Sequence, residues 1–211
     1  MTKPITKLKS IEDTAIRLFA FKGIKQVTIK DIAKKAECSE GALYRHYTGK
    51  DEMARKLYSR EVEKFGATLK AVLKGKGTFS ARLKSAVELF YSFFDEDPLT
   101  FTFILLSEYN FPVEQKVAFD ANPYKLVFEF IEEGVKNGEF GIRDPKLGAA
   151  MVLGLVLQPA TLRASGRLGR TRMSEKTHEV VEACLRVLKG EKKLGVRTQK
   201  SESRRKKTSD F

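Results

Sequence analysis

Residues 28–50 read TIKDIAKKAECSEGALYRHYTGK, and the fold of this chain turns on them. Thr28 stands where a helix needs its N-cap, and Asp31, three residues on, can return a hydrogen bond to the cap's own amide. Ile29, Ile32, Ala33 and Ala36 recur at helical spacing and make one apolar face. Glu37 and Cys38 break that pattern, and Ser39 is placed to cap a second helix. The second helix carries Gly41, Ala42, Leu43 and Tyr44, then Arg45, His46 and Tyr47. Small residues at its start let the backbone approach a partner closely, while Tyr44, Arg45 and His46 supply hydrogen-bond donors. A short helix of this kind suits the major groove of DNA. Two helices joined so tightly, with a third opening at once, form a helix-turn-helix.

Charge is distributed to suit that motif. The 211 residues carry a formal net charge of +13. Residues 1–50 hold 11 Lys+Arg against 5 Asp+Glu, and residues 189–211 hold 9 against 3, whereas 51–188 hold 20 against 19. Positive charge confined to the two ends points to polyanion contact there. For the run 204–207, RRKK, a merely solvated tail is the competing account. Aromatic residues concentrate in the neutral middle and not on the basic segments, which argues against stacking on single-stranded RNA.

Punctuation along the rest of the chain is helical. Ser10 and Asp13 form a capping box before a first helix over 11–23, closed by Gly23. Thr48 and Asp51 form another, opening a long fourth helix over 50–73, and Gly75-Lys76-Gly77 breaks it. An amphipathic helix follows over 80–94, with Leu83, Val87, Phe90 and Phe94 on one side. Asp97-Pro98, Asn122-Pro123 and Asp144-Pro145 each pair a capping side chain with a proline suited to the first helical turn, and they open three more helices. A last helix over 174–188 carries Val180, Val181, Cys184, Leu185 and Leu188 before Gly190. No segment alternates with period two. The expected fold is therefore all-α, about nine helices, with an N-terminal three-helix helix-turn-helix domain over 1–50 and a helical domain over 51–190. The boundary lies inside the long fourth helix, a rigid element shared by both units. Pro159, deep in the eighth helix, should kink it. Residues 191–211 are too polar to bury the surface that ordering requires.

The motifs give an enzyme no footing. His46 and His178 are the two histidines, and neither sits with a carboxylate or cysteine at ligand spacing, so no metal, cofactor or catalytic residue is expected. Walker A, G-x-G-x-x-G and G-x-S-x-G patterns are all missing. Cys38 and Cys184 make no disulfide framework, which fits a reducing cytoplasm. Cys38 reads as a small packed turn residue, with a redox-sensing thiol beside the helix N-terminus as the alternative. The start, MTKPITKLKS, lacks the apolar run of a signal peptide. The longest apolar run, 147–157, falls short of the ~18 residues of a membrane span. A cytoplasmic protein with no membrane partner is expected.

Phenylalanine crowds the middle of the chain at Phe90, Phe93, Phe94, Phe101, Phe103, Phe111, Phe119, Phe128 and Phe130, and core packing accounts for most of these. Glu108, Tyr109 and Asn110 interrupt the apolar segment 101–113. They are either ligand contacts, since a buried polar group must find a partner, or a solvent-facing helix end. The run 149–157, with Ala149, Val152, Leu153, Val156 and Leu157, is too apolar for a lone surface helix and is expected to meet a partner helix. A monomeric core is the competing account.

The pattern T-x-x-D-I-A-x-x-A-x-x-S-x-G-x-L-Y-x-H-Y-x-x-K is carried by Thr28, Asp31, Ile32, Ala33, Ala36, Ser39, Gly41, Leu43, Tyr44, His46, Tyr47 and Lys50. It resembles the DNA-binding domain of the TetR/AcrR family of transcriptional regulators, and 11–23, IEDTAIRLFAFKG, is similar to that family's first helix. The match covers roughly the first quarter of the chain; the rest matches in length and helical character. Where the family often has Gly in the turn, this chain has Glu37, which implies backbone strain of about 1 kcal/mol.

The resemblance implies a ligand-responsive repressor, a homodimer through its eighth and ninth helices. The phenylalanine-rich body would enclose a small apolar or aromatic effector, neutral or cationic, in preference to a multiply charged anion. Phe90, Phe94, Phe103, Glu108, Tyr109, Asn110 and Phe128 are the expected effector contacts. The partner is double-stranded DNA, with recognition helices in successive major grooves of a palindromic operator. Ser39, Tyr44, His46 and Lys50 are expected to hold phosphates, Lys50 helped by the N-terminus of the fourth helix. Glu40, Ala42 and Arg45 are expected to read bases, with Thr28 and Gly41 completing the contact set. The alternative is a constitutive DNA-binding protein with a solid core and no effector.

Overall fold

The structure, a computed structural model, describes residues 7–107, 122–169 and 171–190. Nine α-helices occupy them: α1 Lys7–Lys22, α2 Ile29–Lys35, α3 Glu40–Tyr44, α4 Lys50–Leu73, α5 Phe79–Glu96, α6 Pro98–Ser107, α7 Pro123–Lys136, α8 Pro145–Ala164 and α9 Thr177–Lys189. Short 3-10 turns, Ile24–Gln26 and Met173–Lys176, lead into α2 and α9. Among the described residues there is no strand.

Two apolar clusters organise the helices. The first gathers α1, α2, α3 and the first half of α4 around Phe19, Ile32, Leu43, Met53 and Leu57, each at most 1% exposed. It continues along α4 to Val62 and takes in Phe103 from α6, so the packing of the head runs past residue 50. The second cluster holds α5, α7, α8, α9 and the far half of α4 around Phe79, Tyr91, Phe130, Ile131 and Phe140. Tyr91, wholly buried on α5, donates its hydroxyl to the Val156 carbonyl of α8 at 3.2 Å. At the end of α5, Asp95 accepts from the amides of Met173 and Ser174 and from the Ser174 hydroxyl at 2.7–2.9 Å. That carboxylate fastens the connection between α8 and α9 to the body.

The helix caps follow the sequence in several places and depart from it in three. Thr28 and Asp31 form the full capping box of α2, and Asn122 and Asp144 each accept from two backbone amides at the starts of α7 and α8. The box expected at Ser10 is not a helix start, because α1 is already helical at Lys7 and the Ser10 carbonyl accepts from the Thr14 hydroxyl within it. At α4 the N-cap is Gly49, so the residue three positions on is Glu52 and not Asp51; Glu52 takes both the amide and the hydroxyl of Thr48. Ser39 occupies the N-cap of α3 without a side-chain cap hydrogen bond.

Glu37 adopts a left-handed backbone, φ 52°. It closes α2 in a Schellman turn, with Cys38 N–H on the Ala33 carbonyl and Glu37 N–H on the Lys34 carbonyl. Glycine adopts this conformation without the side-chain penalty. Glu37→Gly is therefore expected to stabilise the protein by about 1 kcal/mol, measured as a higher denaturation midpoint at unchanged m-value.

Helix α8 remains helical through Pro159. Its buried residues are Gly148, Ala149, Val152, Val156 and Ala160, so Val152 and Val156 point into their own body and not toward a partner, as the sequence suggested. Leu147 and Met151 are its exposed large apolar residues, at 50% and 43%. With a mean hydropathy of 1.4 over 18 residues, α8 is the one described helix long and apolar enough to cross a membrane. Only 28% of that stretch is buried, although α8 packs on α6, α7 and α9.

Candidate DNA interface and interior cavity

The reading edge is built by two buried anchors. Leu43, 0% exposed, and Tyr47, 7% exposed, pin α3 to the head cluster. Their neighbours Glu40, Gly41, Tyr44, Arg45 and His46 are left exposed and Ala42 half-buried, and Thr28 and Ser39 are exposed beside them. Tyr44 is 55% exposed, a high value for an aromatic with no partner shielding it. Backbone bonds from His46 and Tyr47 to the Leu43 carbonyl, 2.9 and 3.0 Å, carry the turn past the end of α3 and fix where Arg45 and His46 stand. The Thr28 hydroxyl is committed to Asp31, donating to its carboxylate and accepting from its amide.

Tyr47 has a second task. Its phenol donates to Glu12 of α1, which also receives Arg60 of α4 at 2.6 Å, and Arg60 reaches on to Glu61. Burial, then the hydrogen bond to Glu12, push the Tyr47 pKa far above its ordinary value, so the phenol stays a donor. The recognition turn, α1 and α4 are thus joined at one partly buried point. The sequence carried a signal for it: Glu12 is an acid among Ile11, Ala15, Ile16 and Phe19 on the buried face of α1.

Lys50, expected at a phosphate, is engaged inside the head. Its ammonium donates to the carbonyls of Ile24 and Lys25, both at 2.9 Å.

Between the second half of α4 and helices α5, α6, α7 and α8 lies a cavity of ≈ 60 Å³. Phe65, Phe90, Phe93 and Phe101 form much of its wall, with Leu105, Tyr124, Leu153 and Leu157, and no charged side chain lines it among the described residues. The rings interlock, Phe90 edge-on to Phe101 at 4.9 Å and Phe65 stacked on Phe93 at 5.4 Å. Of the expected effector contacts, Phe90 lines this cavity. Phe94 is buried behind it, edge-on to Phe101 at 5.0 Å. Phe103 lies in the head cluster, stacked on Phe19 at 5.8 Å. Phe128 lines a separate open groove along α8. Glu108, Tyr109 and Asn110 lie outside the described residues, as does the basic tail. Tyr58, Val62 and Phe65 also line the cavity from α4, and their spacing of four and three residues was a helical signal the sequence reading missed.

An exposed recognition helix on a buried anchor, joined to an all-helical body, defines a DNA-binding regulatory protein. Residues 11–57 match the family described as bacterial regulatory proteins, tetR family. The head is thus similar to the DNA-binding domain of helix-turn-helix transcriptional regulators of the TetR/AcrR type. It is 24% identical over 160 residues to the fatty acid metabolism regulator protein of Bacillus subtilis, covering 74% of this chain and 82% of that one. Its fold is similar to that of the transcriptional regulator FadR from Bacillus subtilis in complex with stearoyl-CoA, with TM-score 0.70 and 19% identity over 84% of this chain and 97% of that one. A tetR-family regulatory protein from Rhodococcus superposes with TM-score 0.72 and 22% identity, over 89% and 98% of the two chains.

Proposed function

We propose that this chain is a ligand-responsive repressor that holds a palindromic operator as a homodimer and releases it when an elongated apolar molecule, a fatty acyl chain, enters the body. The observation that carries this reading is a shared wall. Tyr58 and Val62 of α4 are buried members of the head cluster, Ile104 of α6 packs against it, and all three line the cavity. At ≈ 60 Å³ the cavity has room for a few water molecules at most. An acyl chain enters by widening the cavity, and a shift of α4 or α6 moves the head they hold. A ligand that binds the widened state more tightly selects a head placement that no longer fits the operator. The described lining is uncharged and suits the apolar part of such a ligand, and a charged head group, as on an acyl-CoA, would stay outside it. The ligand named for the similar Bacillus subtilis structure supports the acyl class.

The exposed face of α8, with α9 beside it, is the surface for the second copy. A native protein that sediments as a monomer at micromolar concentration would remove that part of the reading.

Footprinting upstream of the protein's own gene locates the operator. Acyl compounds of graded length should then raise the melting temperature and release the operator together, with both effects growing with chain length. A constitutive regulator is the second reading, favoured by the small cavity; it requires that no compound of the series alters operator affinity. Arg45→Ala should relax discrimination at particular base pairs by roughly 1–3 kcal/mol. An unchanged preferred site in a selection from random duplexes would remove Arg45 as a base reader.

A further inference from the structure

Lys50 opens α4 directly behind the recognition helix, where a lysine would be expected to reach for a phosphate. Its ammonium turns back instead. Both of its 2.9 Å bonds end on the 3-10 turn Ile24–Gln26, on the carbonyls of Ile24 and Lys25. An ammonium has three N–H donors, so two are spent inside the protein. The rest of the first turn of α4 is acidic, with Asp51 and Glu52. Glu52 is ionised and held by Lys56 at 2.7 Å and by Thr48. The side chains of Lys50 and Glu52 are therefore both committed within the protein.

The turn that Lys50 holds carries Lys25. Lys25 is exposed and has no ion pair among the described residues. From Lys22 through Lys25 to Lys30 there is no acid in the sequence, and Thr28, three residues on, opens the helix that packs under α3. A cation on a short turn is useful to a polyanion if the turn is held still, since ordering a loose one costs conformational entropy. The geometry points to a division of labour: Lys50 is a positioning residue that fixes the Ile24–Gln26 turn, and Lys25 is the residue that meets the DNA phosphate backbone at this edge of the head. This rests on the DNA-binding role of the head and adds a contact to it.

The test uses the full chain and a mixed-sequence DNA duplex across a salt series, because phosphate contacts are independent of sequence. Lys25→Gln should melt like the native protein, while its plot of log affinity against log salt becomes shallower by about 0.9, roughly a 3-fold smaller loss between about 50 and 200 mM. Lys50→Met should melt several degrees lower in the absence of DNA, and Lys50→Arg, which keeps donors for the two carbonyls, should recover most of that loss. In the Lys25→Gln background, Lys50→Met should remove nothing further from the salt slope. The assignment is overturned if Lys50→Met melts like the native protein, if the double variant loses a second ~0.9 of slope, or if Lys25→Gln leaves the slope unchanged. Should the double variant be too unstable to assay, the Lys25→Gln slope and the Lys50 melting series decide the matter. Failure of the native protein to bind any duplex would overturn the DNA-binding role itself, a result separate from these.

Discussion

Met151→Arg is expected to convert the protein to a folded monomer and to weaken operator binding by a factor on the order of 10²–10⁴, the gain that two linked recognition heads have over one. Met151 is 43% exposed on α8, one turn from Leu147 and beside Gly154, where an added Cβ would meet nothing within 4 Å. A long cation there can reach solvent in the single chain, yet it would be buried without a partner between two copies, which costs several kcal/mol. Sedimentation should give a monomer at micromolar concentration with an unchanged helical spectrum. A variant that stays dimeric and keeps its operator affinity would move the interface off this face. Val152→Glu and Val156→Glu would be poor substitutes, because both residues are buried in their own body and a carboxylate there unfolds it.

Phe103→Ala should have the largest effect on stability, about 3–5 kcal/mol, the cost of truncating a fully buried ring. Phe103 is 1% exposed and stacks on Phe19 of α1, while Phe101 and Ile104, its neighbours on α6, line the cavity. One side chain thus carries α6 into the head. In a chain of this size the loss corresponds to a fall in melting temperature on the order of 10 °C. A ligand of the body should still stabilise the variant but should release operator less effectively, since the wall it displaces no longer grips α1. Full release at native ligand concentrations would place the coupling elsewhere, at Glu12, Tyr47 and Arg60 or along α4.

What the sequence disclosed and what it withheld divide along physical lines. The α2 capping box, the Asn122 and Asp144 caps and the strained turn at Glu37 are local, and a few adjacent side chains suffice to read them. Phe103 reads as a cavity residue because a phenylalanine among phenylalanines carries no mark of which cluster will receive it; that depends on how α6 lies across α1. The inner face of α8 was hidden for a related reason. From Leu147 to Leu157 the helix is apolar or small all round, so no polar stripe says that Val152 and Val156 face inward. Lys50 illustrates a third limit. Its partners lie 25 and 26 residues back in the chain, on carbonyls, which carry no side-chain signature at all.

The described chain ends at Gly190, and its position has a practical consequence. The amides of Gly141 and Ile142 donate to the Leu188 carbonyl, and Gly190 lies against Gly141, just past Phe140, which packs edge-on to Phe79 near the far end of α4. Helix α4 has 24 residues, about 36 Å of length, between that end and the reading head. In ordinary buffers charge is screened over about 10 Å, so this end of the body lies outside the electrostatic reach of the recognition helix. A dye or a surface linkage attached at this end of the body leaves the operator-facing edge unobstructed, and protein immobilised through it should present its heads to solution.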